Sequence, residues 1–393
     1  MKPIRPFLTR ASAGMVVLLL ALTATGLPGP RAAHSAPIPA SPLSFMYVDE
    51  GLCTTACGNA TPDAIEVYDN TTLVQTFNTT MDQAFFYPGS NTLAPYKAGS
   101  GRFKCILGAD SYGAAGIGNI TSYQMAHGVS GMIQGEVSNI ADPAGGTPVD
   151  VKTSPTGTRA VVADLSGSLT FWSISPQCVL TLLNTVSVPG ASYTNTAFIG
   201  GTQVAAADPF SGMIAVFKIV ANTLVYQTST PAQLAGPNGI SGRVMMGEIA
   251  TGFNSSTAMA EVGKVSHPSG AITFIPGSPA TDSGGGSQGV TTIFTGSSTL
   301  IQGDNNSGTL GNYALSPSMS WVSDTTTGAI YAEDLWVSPG PSPNATLWLN
   351  GVQNGNIVVC KLSSGFATAC GRWVTLANTS GMSNGMVITA AHN

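Results

Sequence analysis

An all-β fold is predicted for this 393-residue chain by three observations. Apolar and polar residues alternate in short segments, the signature of strands with a buried face. Those segments recur at intervals of 38 to 58 residues. Glycine (47 residues) and proline (25) fall between them, where turns require them. Each interval holds about four strands of ~5–6 residues plus their turns. Units of that size close radially, so the fold class is a seven-bladed β-propeller of four-stranded antiparallel blades, with the ring closed by the C-terminal strand.

The chain opens on a segment of another kind. Lys2, Arg5 and Arg10 precede the apolar run "AGMVVLLLALTA" (Ala13–Ala24), long enough for a signal-peptide core and too short for a membrane span of ~20 residues. Its shortness disfavours a retained anchor. Cleavage is expected after Gly26 or within "AAHSA", after Ser35, and no Cys is present there to carry a lipid. Residues 1–36 are therefore read as signal peptide and leader, and 37–393 as a single propeller domain. The expected location is secreted, periplasmic or extracellular.

The blades follow in order. Their third strands are read at "DAIEVYD" (Asp63–Asp69), "GNITSYQM" (Gly118–Met125), "SGSLTFWSI" (Ser166–Ile174), "SGMIAVFKI" (Ser211–Ile219), "GAITFIPG" (Gly270–Gly277), "GTLGNYAL" (Gly308–Leu315) and "NGNIVVCKL" (Asn354–Leu362). Upstream of each lies an apolar strand, six of them ending in an Asx residue: Asp49, Asp110, Asp164, Asp208, Asp304 and Asn350. The fifth, "TAMAEVG", departs from that ending at Gly263. Side-chain caps on the next turn account for these acids better than catalysis does, because the same turn recurs in every unit. The mature chain starts at "PLSFMYVD", a second-strand sequence, and ends at "NGMVITAA", a strand with no unit of its own. The last strand is thus expected to complete the first blade and remove an open edge.

Composition limits the partners. Only 8% of residues are charged, against 43% hydrophobic, so Ser, Thr, Asn, Gln and Gly must make the surface. Without the leader, ten basic residues face nineteen acidic ones, which excludes nucleic acid and anionic membrane surfaces as natural partners. No membrane span is expected in the mature form. Export makes disulfides the natural state of the six cysteines. Spacing suggests Cys360–Cys370 and Cys53–Cys57, which leaves Cys105 with Cys178 as one of fifteen connectivities open to six cysteines, and the scattered His and absent paired C-x-x-C knuckles argue against zinc. Asn-x-Ser/Thr sequons at Asn70, Asn78, Asn119, Asn254, Asn305, Asn344 and Asn378, and at Asn59 with Pro62 immediately after, would be glycosylation sites in a eukaryotic secretory pathway.

The blade grammar carries a resemblance. "TSPTGTRAVVAD" followed by "GSLTFWSI" resembles the YVTN-type and lactonase-like seven-bladed propellers, in which a Ser-Pro-x-Gly turn precedes the second strand. The likeness is one of repeat pattern, and the third and fourth blades match it best. It implies the propeller fold and, for lactonase-like members, hydrolysis of sugar lactones; it carries no catalytic motif onto residues of this chain.

No nucleophile elbow, Walker loop or zinc-protease motif is present. The candidate catalytic residues are His127 with Glu136, an imidazole and a carboxylate able to exchange a proton if they meet, and Arg243, Glu248 and Glu261 in the most irregular unit. In "DNNSG", Asp304 and Asn306 offer oxygen ligands that would suit calcium, although the loop lacks the distal Glu of an EF-hand and a turn explains it as well. The cofactor is otherwise unknown. Trp172, Trp321, Trp336, Trp348 and Trp373 are read as blade packing. The leading functional reading is an extracellular binding or interaction scaffold for a protein, glycan or small-molecule ligand. The alternatives are a lactonase-like hydrolase and a cell-envelope structural module.

Overall fold

The computed structural model describes residues 45–50, 64–79, 93–97, 103–111, 118–126, 131–243, 246–253, 258–284, 289–304, 307–327, 332–338, 345–351, 356–377 and 385–389, with strands numbered β1–β29 in chain order. His127, Asn306, Cys53 and Cys57 lie outside the described residues. Among the described residues every regular element is a strand. The strands form seven antiparallel sheets, six of four strands and one of five, and thus the seven-bladed propeller. The C-terminal strand β29 (Gly385–Thr389) pairs with β1 (Phe45–Glu50), from Phe45 opposite Thr389 to Asp49 opposite Gly385. It becomes the inner strand of blade one, which closes the ring.

The inner strands of the other blades are β4 (Leu93–Lys97), β8 (Pro148–Thr153), β12 (Asn195–Ile199), β16 (Pro237–Arg243), β21 (Gly289–Phe294) and β25 (Ala332–Ser338). Each touches the next around the ring, with β29 between β25 and β4. They surround the central channel.

Packing between blades explains the strand sequences. On β9 (Arg159–Asp164), Ala160 and Val162 join a core shared with blade two, while Val161 and Ala163 join one shared with blade four. The same split occurs on β13 (Gln203–Asp208), where Val204 and Ala206 face one neighbour and Ala205 and Ala207 the other. Alternating side chains point to opposite faces, and a blade stacked between two others must bury both. That requirement produces the continuous apolar runs "AVVA" and "VAAA". Seven such clusters fill the seven blade junctions, the junction of blades seven and one being built from Met46, Tyr68, Trp348 and Ile388 among others.

Blade five differs from the sequence reading. Its second and third strands are β17 (Glu248–Phe253) and β18 (Met259–Val265). "TAMAEVG" therefore belongs to the third strand, and "GAITFIPG" supplies the short outer strand β19 (Ile272–Phe274), one strand beyond the expected place. The cause is burial: Ile272 packs with Ile214, Val216 and Ile249 and so carries a third-strand signal on an outer strand. A two-residue strand, β20 (Ala280–Thr281), continues that edge along β18.

Among the described residues two disulfides are formed. Cys105 on β5 (Phe103–Asp110) joins Cys178, linking blades two and three across 73 residues. Cys360 and Cys370 face each other on β27 (Asn356–Ser363) and β28 (Phe366–Thr375), with Cα atoms 4.0 Å apart.

Candidate ligand site in the central channel

The inner strands enclose a cavity of 410 Å³, within the range of ~300–1,000 Å³ usual for small-molecule sites. Its half-buried wall residues are Pro95 (β4), Lys152 and Thr153 (β8), Ser241 (β16), Ile293 (β21) and Trp336 (β25). Behind them Leu93, Thr196, Ile240, Thr292 and Leu335 are buried. Lys152 is the charged residue of this lining.

The charge at Lys152 is held by the alternation of β8. Val149 and Val151 are buried, Val151 in the core between blades two and three, which puts Asp150 and Lys152 together on another face. Lys152 Nζ donates to Asp150 Oδ1 at 2.7 Å. Asp150 Oδ2 accepts from the backbone N–H of Thr196 at 2.9 Å and from its hydroxyl at 2.8 Å. Burying an ionised carboxylate is costly unless donors and an opposite charge meet it, and this one, with no solvent exposure, has both. The arrangement also ties β8 to β12.

The hydroxyls of Thr153, Thr292 and Ser241 are committed within the wall. Thr153 Oγ1 donates to the Pro95 carbonyl at 2.7 Å, tying β8 to β4. Thr292 Oγ1 directs its proton to the carbonyls of Gly239 (2.8 Å) and Ala250 (3.1 Å), which leaves Ser241 to donate to Thr292 Oγ1 at 3.0 Å. Gly242 completes this stretch because a Cβ there would lie 2.4 Å from the Phe198 carbonyl oxygen. Polar side chains thus staple neighbouring inner strands at three places.

A second set of polar groups lies at the mouth where the second strands end. Asp164 accepts from Ser166 N–H at 2.6 Å, and Asp208 accepts from Phe210 N–H, Ser211 N–H and the Ser211 hydroxyl. These are turn caps. Two of the acids also meet a carboxyl from the preceding blade's final loop. Asp142 faces Asp164, and Asp282 faces Asp304, the last residue of β22 (Thr299–Asp304). Burial and then the Asp164 carboxyl push Asp142 up to about 7. Burial, with the charges of Asp282 and Asp324 behind it, pushes Asp304 up to about 8, and burial raises Asp282 as well. Two such carboxyls hydrogen-bond to each other only when one carries a proton.

The structure separates the other sequence candidates. Glu136 lies exposed on β7 (Ile133–Ala141), an outer strand, in register with Tyr123. Arg243 binds Glu248 and the Gly296 carbonyl and lies over the Phe294 ring, 4.8 Å from its centroid. Glu261 accepts from Thr251 Oγ1, Gln233 N–H and Leu234 N–H, and burial pushes it up to about 7 against those bonds. Arg243 and Glu248 meet, while Glu261 is engaged with a separate loop. Among the described residues, no group of three or more His, Cys, Asp or Glu is arranged to hold a metal. Sequence reading missed Asp150, Lys152 and the partners Asp142 and Asp282. The signal available for the last two was spacing, since Asp142 precedes Asp164 by the same interval that separates Asp282 from Asp304.

No family model matches the chain, and no curated protein matches its sequence. Solved structures do match. A periplasmic gluconolactonase of Pseudomonas aeruginosa superposes with a TM-score of 0.63 at 15% identity, covering 89% of this chain and 100% of that one. A Lactobacillus plantarum protein gives the same score and identity over 88% and 99% of the two chains. A chain of the mitotic checkpoint complex is also similar, with a TM-score of 0.55 at 16% identity over 78% of this chain and 89% of that one. The fold is therefore the seven-bladed propeller that this chain shares with a gluconolactonase and with a chain of the mitotic checkpoint complex.

Proposed function

We propose that this protein is an exported propeller whose central channel binds a small molecule. The observation that carries the reading is the cavity itself: a wall of apolar groups and committed hydroxyls with one oriented ammonium. The two disulfides, the leader and the likeness to a periplasmic enzyme support a periplasmic or secreted location. A second reading, lactone hydrolysis in the same channel, is supported by the gluconolactonase fold match. Fold likeness at this identity is weak support for a reaction.

The test is a ligand screen read by thermal shift and followed by lactone hydrolysis, with calcium or with chelator. Ligands that stabilise the wild type and not Trp336→Ala would support the channel reading. Turnover abolished by channel substitutions would promote the hydrolase. Stabilisation that is indifferent to every channel substitution would defeat both.

A further inference from the structure

Resting on the channel as the ligand site, we infer that its ligand is a compact, mostly apolar molecule carrying a single acyl oxygen acceptor, rather than a polyhydroxylated sugar derivative. The inference comes from the hydrogen-bond inventory of the wall. A polyol leaving water must recover a partner for each hydroxyl, because an unmet buried polar group costs on the order of 1–3 kcal/mol. The hydroxyl side chains of Thr153, Thr196, Ser241 and Thr292 have little to offer it. The protons of Thr153, Ser241 and Thr292 are donated to protein acceptors, and the Thr196 hydroxyl and N–H are both spent on Asp150.

Lys152 is different. An ammonium has three N–H donors, one of which goes to Asp150, and the side chain is 30% exposed. It presents two further donors at one point of a wall whose other half-buried side chains are the apolar Pro95, Ile293 and Trp336 and the engaged hydroxyls of Thr153 and Ser241. Asp150 fixes that point and offsets its charge, so a neutral acyl oxygen is received as well as an anionic one. One donor cluster and an apolar surround call for one acceptor on an apolar body. Two sources share this chemistry: a lactone with an alkyl chain and a medium-chain carboxylate.

Calorimetric titration of the folded protein with γ-octalactone, octanoate and glucono-δ-lactone tests the inference. The alkyl lactone or octanoate should bind at least tenfold tighter than the sugar lactone, and Lys152→Met should weaken that binding about tenfold while Trp336→Ala weakens it independently. Tighter octanoate assigns a carboxylate ligand, and tighter octalactone a neutral one; either sustains the inference. Glucono-δ-lactone binding tightest, and lost in Trp336→Ala, would overturn the ligand class while leaving the channel reading intact. Binding of all three unaffected by either variant would overturn the channel reading itself. Thermal melts of both variants, together with Lys152→Arg as a charge-conserving control expected to bind, separate lost contacts from lost fold.

Discussion

Replacing Asp304 by Asn should stabilise the protein in mildly alkaline solution and flatten its response to pH. In the fold Asp304 has no solvent exposure, faces Asp282, and is pushed up to about 8 from the ordinary 3.8. Between those values the folded protein binds a proton that the unfolded chain has released. Stability contributed by this group is therefore full at acid pH and is lost as pH rises through the window. At about 1.4 kcal/mol per pH unit of difference, the rise from pH 5 to pH 8 costs on the order of 3 kcal/mol. For a domain of this size that corresponds to roughly 6 °C in melting temperature. Asn keeps an oxygen to accept the Thr309 hydroxyl, 2.9 Å away in the wild type, and its amide can donate to Asp282 without needing a proton. Melting curves of both proteins at pH 5, 6.5 and 8 measure the difference. The wild type should lose several degrees more than Asp304→Asn over that range. A variant less stable than wild type at pH 8, with an unchanged slope, would refute the shared-proton account.

Three further outcomes are expected. Removing Cys105–Cys178 as a double Ala variant should cost about 4 kcal/mol, and removing Cys360–Cys370 about 3, because the first closes the longer loop; urea unfolding that reversed this order would count against loop closure as the cause. Gly242→Ala should destabilise by ~1–3 kcal/mol, since its Cβ meets the Phe198 carbonyl and backbone must shift, a loss that a thermal melt will show. Deleting 385–393 removes the buried side chains of Met386, Val387 and Ile388, worth about 5–8 kcal/mol together, and should lower the melting temperature by ~10 °C or more by calorimetry.

The ring was legible in the sequence because a blade buries both faces of its middle strands. Leu169 and Phe171 on one face, and Trp172 with Ile174 on the other, leave a trace in the sequence that needs no knowledge of the partner. Blade five shows where that trace misleads, since Ile272 is also buried although it lies on an outer strand. The channel was hidden for a different reason. Asp150 acquires its meaning only from Thr196, 46 residues away on the next inner strand, and no local pattern announces that meeting. Asp142 and Asp282 read as ordinary loop residues for the same reason, until a second blade brings Asp164 and Asp304 against them. Trp336 packs partly beside the core between blades seven and one and also lines the cavity, so its packing role was visible and its second exposure was not.

The pairing of Met46 with Ile388 has a kinetic consequence. A chain that emerges amino end first presents β1 hundreds of residues before its inner partner exists. Until β29 arrives, blade one is a three-stranded sheet with a bare edge facing the channel, and the junctions on either side of it lack Met386, Val387 and Ile388. Contacts between such distant segments are slow to form, because the loop between them must close first. The ring around the channel is thus a property of the completed chain alone: the strands that line the cavity belong to the other six blades, and the gap between β25 and β4 is filled only by the last strand to appear.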